Sequence, residues 1–198
     1  MVSFFDEIID PRWLRPINDN RRARWLGPPD DVIPGYTNVR LSLYRANDLA
    51  IWLVGADVFP DGVRLSLETR WRTPRSVTPP VVPGARGREG LCLGVELGGG
   101  RRLLATSHAA LAATEGPVDS ALVVLGTGAE TFQNTTTLWL WPLPHEDVTW
   151  VLEWRLQGVP EVRTWLMNEP LRDTCSAAER VWPSDSPTSN LRPRRRLA

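Results

Sequence analysis

The chain has 198 residues, of which 42% are hydrophobic and 23% charged, a composition typical of a folded protein with one sizeable core. Its basic residues are all arginine, and 23 basic against 23 acidic side chains leave no net charge that would favour nucleic acid or an anionic membrane as a partner. Because no apolar run reaches the roughly 18 residues that cross a bilayer, and the first residues lack the features of a secretory signal, we expect a cytoplasmic protein.

Residues 1–36 predict an irregular N-terminal arm. Prolines recur along this segment, and each one removes a backbone donor and restricts the residue before it. Trp13, Leu14, Trp25 and Leu26 lie between them, so we expect an arm that crosses the main domain and is held by these side chains. A disordered leader is the alternative, although aromatic residues are uncommon in disordered segments.

Residues 37–167 predict a β-domain, because large and polar side chains alternate with the period of a strand. The alternation is clearest in Val63–Trp71, whereas Leu49–Val58 is a near-continuous apolar run, typical of a strand covered on both faces. The turn Phe59–Gly62 joins these two segments, and Gly62 is expected to adopt a positive φ there. The predicted strands up to this point are Val39–Tyr44, Leu49–Val58 and Val63–Trp71.

Further strands follow between breaks that are rich in proline and glycine. In chain order the predictions are a loop at Thr73–Gly90, a strand at Leu91–Leu97, a turn at Gly98–Gly100, a strand at Arg101–Ser107 and a loop with one helical turn at 108–119. Ala121–Leu125 then predicts a short strand, which Gly126–Gly128 breaks and Thr131–Trp141 resumes.

The tryptophan-rich stretch from Thr135 to Leu166 predicts a β-hairpin that anchors a sheet-on-sheet core. Its large side chains fall two residues apart on both sides of a short polar turn. One face of the second strand is expected to carry Val148, Trp150, Leu152, Trp154 and Leu156. Glu161–Leu166 predicts a final strand, bounded by Gly158 and Pro160.

Residues 168–183 predict a short C-terminal helix that runs from Pro170 to Trp182. Asn168 is expected to cap this helix, and Pro170 lies in the first turn, where proline is tolerated. Pro183 is expected to end it.

Residues 184–198 predict a disordered basic tail, because they hold too little apolar surface to fold alone. The Arg194–Arg196 cluster within it could bind phosphates or acidic partners. A basic tail without a dedicated role is the alternative.

Together these segments predict an all-β fold, an antiparallel immunoglobulin-like sandwich of roughly seven to nine strands. Long helical periods between the strands are missing, which disfavours a parallel βαβ sheet. The Cys…Trp…Cys pattern of antibody domains is missing too, so "immunoglobulin-like" describes the architecture only. Cys92 and Cys175 show no metal or redox spacing; a disulfide between them stays open, with reduced thiols as the default expectation.

Five short motifs stand out along the chain. They are Gly27–Gly35 (Gly-Pro-Pro-Asp-Asp-Val-Ile-Pro-Gly), Trp139–Pro144 (Trp-Leu-Trp-Pro-Leu-Pro), Glu153–Trp154, Gly158–Glu161 and Val181–Pro183. On these residues, the stretch from Trp25 to Pro183 resembles a group of uncharacterised actinobacterial β-sandwich proteins that share a W-x-W-P-L-P strand. The resemblance implies one coherent domain and attaches no activity to it. After the strand motif the chain departs from the group's pattern, because His145-Glu146-Asp147 replaces a turn rich in proline and glycine.

Two small clusters carry side chains that could do chemistry. His145, Glu146 and Asp147 could serve as a general base or a metal-ligand set, but neighbouring turn residues splay apart, so we interpret them as a solvated tip. Ser107 and His108 could form a nucleophile and its base. Because no orienting carboxylate or nucleophile elbow accompanies them, we interpret this pair as loop residues.

Two glycine clusters, Gly98–Gly100 and Gly126–Gly128, lack the strand-to-helix context and the Lys-Ser/Thr of a phosphate loop, so we interpret them as turns. A charged strand face is interpreted as solvated, with a binding surface as the alternative. Its side chains are Arg64, Glu68, Arg70 and Arg72.

Trp139 and Trp141 lie on the strand face opposite Leu138 and Leu140. If they are exposed, they could stack on a sugar or anchor a protein interface. If both faces of the sheet are covered, they are core residues.

The sequence therefore predicts no catalytic, cofactor-binding or metal-binding residue, and no cofactor. We expect a non-enzymatic protein that acts through contact with a protein partner or through self-association, and not through nucleic acid or a membrane. A module that binds a carbohydrate or another small ligand through exposed Trp139 or Trp141 is the alternative.

Overall fold

The computed structural model of the protein describes residues 23–74, 90–113 and 118–182. Its strands are β1 (Val32–Ile33), β2 (Gly35–Arg45), β3 (Leu49–Phe59), β4 (Gly62–Trp71), β5 (Cys92–Leu97), β6 (Arg101–Ser107), β7 (Ala121–Ala129), β8 (Gln133–Trp141), β9 (Val148–Trp154), β10 (Val159–Leu166) and β11 (Glu179–Arg180). Its helices are α1 (His108–Ala112) and α2 (Glu169–Cys175), and short 3₁₀ turns lie at Arg24–Leu26, Gly98–Gly100 and Arg155–Gln157. Most of the predicted arm, the middle of the Thr73–Gly90 loop and the whole predicted tail lie outside the described residues.

A nine-stranded sheet dominates the fold, with the strand order β10-β9-β5-β6-β7-β8-β4-β3-β2. Neighbouring strands pair antiparallel except β6 and β7, which are parallel, so the sheet is mixed. The edge strands β2 and β10 contact each other, so the sheet curls until it is nearly closed. β1 and β11 form a separate two-stranded ribbon. The predicted all-β class is confirmed.

The main core lies on the inner face of the curled sheet, and every strand of that sheet contributes to it. Alternate residues of β4 and β9 point inward, as the strand period predicts. The predicted face of β9 is confirmed from Val148 to Trp154 but is wrong for Leu156, which is 60% exposed. The strand ends at Trp154, and the chain then turns through Arg155–Gln157, so the alternation stops there.

The hairpin predicted for Thr135–Leu166 is wrong in its pairing. β8 pairs with β4 and β7, whereas β9 pairs with β5 and β10, so three strands separate β8 from β9 in the sheet. Pro142 and Pro144 lack the backbone N–H groups that a continuing ladder would need. The connection after β8 therefore leaves the sheet and joins it again elsewhere.

Two glycine predictions also change. Gly126–Gly128 does not break the strand, because β7 runs through it with a register shift between Val124 and Gly126, which marks a β-bulge. Gly62 is not among the glycines with a positive φ. The turn at Gly98–Gly100 is confirmed, since it joins the antiparallel strands β5 and β6.

A second apolar cluster, the outer cluster, covers the outer face of β7 and β8. Its buried members are Phe59, Ala121, Val123 and Trp139. Trp25 and Val32 from the N-terminal segment and Leu111 from α1 pack against them. The described part of the predicted arm therefore crosses the sheet and is held there by Trp25.

The predicted helix Pro170–Trp182 is too long. α2 ends at Cys175, and the chain then turns so that β11 pairs with β1, where the Val181 N–H donates to the Asp31 carbonyl at 2.9 Å. A helix continued to Trp182 would lose this long-range pairing. Asn168 occupies the N-cap position, but its side chain makes no capping hydrogen bond.

Cys92 and Cys175 are not joined by a disulfide. The Cys175 Sγ lies 3.7 Å from the Phe59 carbonyl oxygen, to which it donates. Within the part of the chain that the structure describes, every helix is too short or too polar to cross a membrane.

Candidate functional site

The turn at His145–Asp147 contributes contacts that hold the fold. The Asp147 carboxylate accepts a hydrogen bond from the Asn168 backbone N–H at 2.7 Å, and the Glu146 carboxylate lies where a Cβ on Gly98 would collide with it. His145 is exposed. The three side chains therefore splay apart, and the described residues contain no group of three potential metal ligands.

The Ser107 hydroxyl oxygen accepts a hydrogen bond from the Ala110 N–H at 3.2 Å, so Ser107 caps the first turn of α1. His108 follows it as the first residue of that helix and is half-buried. Ser107 therefore acts as a helix cap, which agrees with the interpretation that Ser107 and His108 are not a nucleophile and its base.

Trp139 and Trp141 are both covered by the N-terminal segment. Trp139 is 0% exposed, and its indole N–H donates to the Arg24 carbonyl at 3.0 Å. Trp141 is half-buried and packs against Trp25 with a ring separation of 6.2 Å. Trp139 therefore presents no surface on which a sugar could stack, and Trp141 is partly covered.

The predicted charged face of β4 makes ion pairs and cation–π contacts within β4 and with β3. The Arg70 guanidinium lies 5.3 Å from the Trp52 ring and donates to Glu68 at 3.2 Å, while Arg72 is exposed. Arg64 is different, because two of its nitrogens lie 2.8 Å from Asp57 in a half-buried pair. Most of this face is therefore solvated, and Arg64 belongs to a pocket.

Another surface, which we call the Trp165 face, occupies the outer side of β10, β9, β5 and β6. It is defined by Trp165, Met167, Val151, Leu104, Glu161, Arg163, Glu96 and Arg102. Strand register places Trp165 level with Glu96 and Arg102, and Arg163 level with Val151 and Leu104. Trp165 is 61% exposed, Met167 58% and Leu104 75%, so large apolar side chains meet solvent here.

A chain of ion pairs crosses this face between the apolar groups. Arg163 donates to Glu96 at 2.8 Å and to Glu161 at 3.0 Å, and Arg102 lies 3.8 Å from Glu96. Each of these side chains pairs with the next, so the charge alternates in sign along the row Arg102, Glu96, Arg163, Glu161. The hydrogen bonds to Glu161 and then Glu96 raise the pKa of Arg163 above its ordinary value.

The residues of the Trp165 face were not predicted as a surface from the sequence. A signal existed for Trp165, because the alternation along β10 places it opposite Val162 and Leu166, which point toward the core. Leu104 gave no such signal. It follows another leucine, and only the pairing of β6 with β5 decides which of the two faces outward.

The chain has no match among protein-family models, curated proteins or solved structures. The likeness to actinobacterial proteins with a W-x-W-P-L-P strand therefore stays a prediction. Function has to be argued from the surfaces themselves.

Proposed function

We propose that this is a non-enzymatic protein that acts through protein–protein contact, and that its contact surface is the Trp165 face, seated against a second copy of the chain. The observation that carries the proposal is the exposure of Trp165 on β10. The exposed Met167 follows just after the end of this strand, and the half-buried Val151 lies on the neighbouring strand β9. Exposed tryptophan is costly to leave in water and is a frequent anchor of protein interfaces. Two candidate catalytic side chains make structural hydrogen bonds instead. The Ser107 hydroxyl caps α1, and the Asp147 carboxylate accepts from the Asn168 backbone N–H.

Charge favours a second copy as the partner. In an interface with two-fold symmetry, each residue i faces residue j and each j faces i. A row of side chains whose signs alternate as plus, minus, plus, minus meets its own reversed copy as minus, plus, minus, plus. Each end of the Arg102–Glu161 row then faces an opposite charge, and Arg163 faces the Glu96 of the second copy.

Sedimentation velocity over a concentration series tests this proposal. We expect reversible dimers for the unmodified chain, and association at least about tenfold weaker for Trp165→Ser, because buried tryptophan anchors carry much of the binding energy of an interface. Trp182→Ser is the matched control, since Trp182 is 71% exposed but follows β11, which pairs with β1 and is not a strand of the nine-stranded sheet. Equal weakening by both substitutions would argue against a specific face.

Charge exchange gives a sharper test. Arg163→Glu places like charges opposite each other and should abolish association, whereas the double variant Arg163→Glu with Glu96→Arg should restore it. In the double variant, each charged side chain of the row again faces a side chain of opposite charge on the second copy. A chain that stays monomeric at every concentration, or a double variant that does not recover, overturns the proposal.

The proposal also includes the sandwich architecture and the cytoplasmic location that the sequence predicts. The antiparallel immunoglobulin-like sandwich is supported by two sets of strands, β10-β9-β5-β6 and β7-β8-β4-β3-β2, each antiparallel within itself, whose inner faces share one core. The parallel pairing of β6 with β7 joins the two sets into one sheet. The cytoplasmic location is supported by Cys92 and Cys175, which form no disulfide with each other. Cell fractionation followed by detection of the protein in each fraction would test it.

A further inference from the structure

A β-bulge in β3 shapes the outer face of the sheet on strands that do not form the Trp165 face. Gly55 lies between Val54 and Ala56, where the register shifts against β4, and its φ is +62°. The Tyr36 side chain lies over it, so that a Cβ at position 55 would come within 3.3 Å of both Cε2 and the hydroxyl oxygen. Bulges of this kind redirect side chains next to binding sites.

The bulge and the tyrosine border an open pocket, the Tyr36 pocket, with a volume of about 440 Å³. This volume lies in the range of small-ligand sites, about 300–1,000 Å³. The polar lining consists of Asp57, Arg64, Ser66 and Thr137, from three adjacent strands. Tyr36 is 66% exposed, so its ring forms an accessible aromatic wall.

The charges of the pocket cancel. The Nε and Nη2 of Arg64 both lie 2.8 Å from Oδ2 of Asp57, and the Arg64 guanidinium is also 5.8 Å from the Phe59 ring. A guanidinium neutralised in this way gives little attraction for a phosphate or a carboxylate. The pair still presents charged acceptors and donors, which form stronger hydrogen bonds than neutral groups do.

We propose that the Tyr36 pocket binds a neutral polyhydroxylated ligand, a sugar. An aromatic ring offers the apolar face on which a pyranose can stack, while a carboxylate, a guanidinium and two hydroxyls offer partners for its hydroxyl groups. The pocket is open, so it admits a free sugar or the end of a longer glycan. This site lies on β2, β3, β4 and β8, so the inference stands apart from self-association.

Saturation-transfer NMR with glucose, galactose, mannose and N-acetylglucosamine, and with inorganic phosphate as the anionic comparison, tests the inference. We expect saturable binding of at least one neutral sugar and none of phosphate. Tyr36→Ala should weaken that binding about tenfold or more. Phe132→Ala is the matched control, because Phe132 is 49% exposed but lies at the β7–β8 turn, and should leave binding unchanged.

Asp57→Asn separates recognition from a merely structural role. It frees the Arg64 charge, so sugar binding should weaken about tenfold while phosphate binding appears. A glycan array probed with the same variants distinguishes a glycan end from a free sugar. If the unmodified chain binds phosphate but no neutral sugar, or binds none of the sugars, the inference is overturned; thermal unfolding of each variant confirms that it is folded.

Discussion

The indole of Trp139 lies directly against the backbone of Gly62. A Cβ built on Gly62 would come within 2.5 Å of two ring carbons, Cη2 and Cζ2, and within 2.9 Å of the Leu140 carbonyl oxygen. Glycine is required here by space and not by a left-handed conformation. The closeness of approach follows from the register in which β4 and β8 pair.

Gly62→Ala should therefore lower the free energy of unfolding by about 1–3 kcal/mol, the usual cost of overpacking a buried site. The control is Gly126→Ala, since nothing lies within 4 Å of a Cβ there. That substitution should be neutral or should stabilise by up to about 1 kcal/mol, because alanine loses less chain entropy than glycine on folding. Urea unfolding of both variants measures the difference, and equal effects would contradict the packing assigned to Trp139.

Trp154 packs in the main core, 6% exposed, with its ring 6.3 Å from Trp71 in an edge-on arrangement. Trp154→Ala should cost on the order of 3–5 kcal/mol of unfolding free energy, because a large cavity remains in a close-packed interior. Trp165→Ala, in contrast, should change the unfolding free energy of the monomer by less than about 0.5 kcal/mol. A loss below about 1 kcal/mol for Trp154→Ala would show that its facing is wrong.

The local part of this fold could be predicted from the sequence, because side-chain alternation depends only on strand geometry. Val63–Trp71 and Val148–Trp154 show this most clearly, since the predicted inward faces of both segments are the ones that pack in the core. The pairing of β8 with β4 and β7 could not be predicted. Periodicity tells which side of a strand is apolar, but it does not tell which strand lies beside it.

The Trp165 face and the Tyr36 pocket could not be predicted either, because they also depend on which elements lie beside each strand. Trp139 and Trp165 both lie in segments predicted as strands, yet Trp139 is fully buried and Trp165 is 61% exposed. The difference comes from the N-terminal segment, which packs over Trp139 and whose Arg24 carbonyl accepts a hydrogen bond from the indole N–H. The Tyr36 pocket depends on the register that places Tyr36 beside Asp57, which is a long-range property too.

Asn168 fixes the corner that follows β8. Its side-chain amide donates to the buried Pro144 carbonyl at 2.8 Å, and its backbone N–H donates to Asp147 at 2.7 Å. Asn168→Ala should cost about 1–3 kcal/mol, because it leaves that carbonyl unsatisfied. Asp147→Ala should cost less, since Asp147 is exposed and water can replace it. Urea unfolding of the two single variants and the double variant tests this, and we expect the double variant to lose less than the sum because both residues hold one corner.

The exposure of individual tryptophans can be measured by iodide quenching of fluorescence. Within the described ranges, Trp165 and Trp182 are exposed at 61% and 71%, whereas Trp139 and Trp150 are exposed at 0% and 1%. Iodide is charged and does not enter a close-packed interior. At a concentration at which the chain is monomeric, Trp165→Phe and Trp182→Phe should therefore each remove quenchable emission, while Trp139→Phe should remove only emission that iodide cannot reach. If Trp139→Phe reduced the quenchable fraction as much as Trp165→Phe, the N-terminal segment would not cover the outer face of β8, and the burial of Trp139 would be refuted.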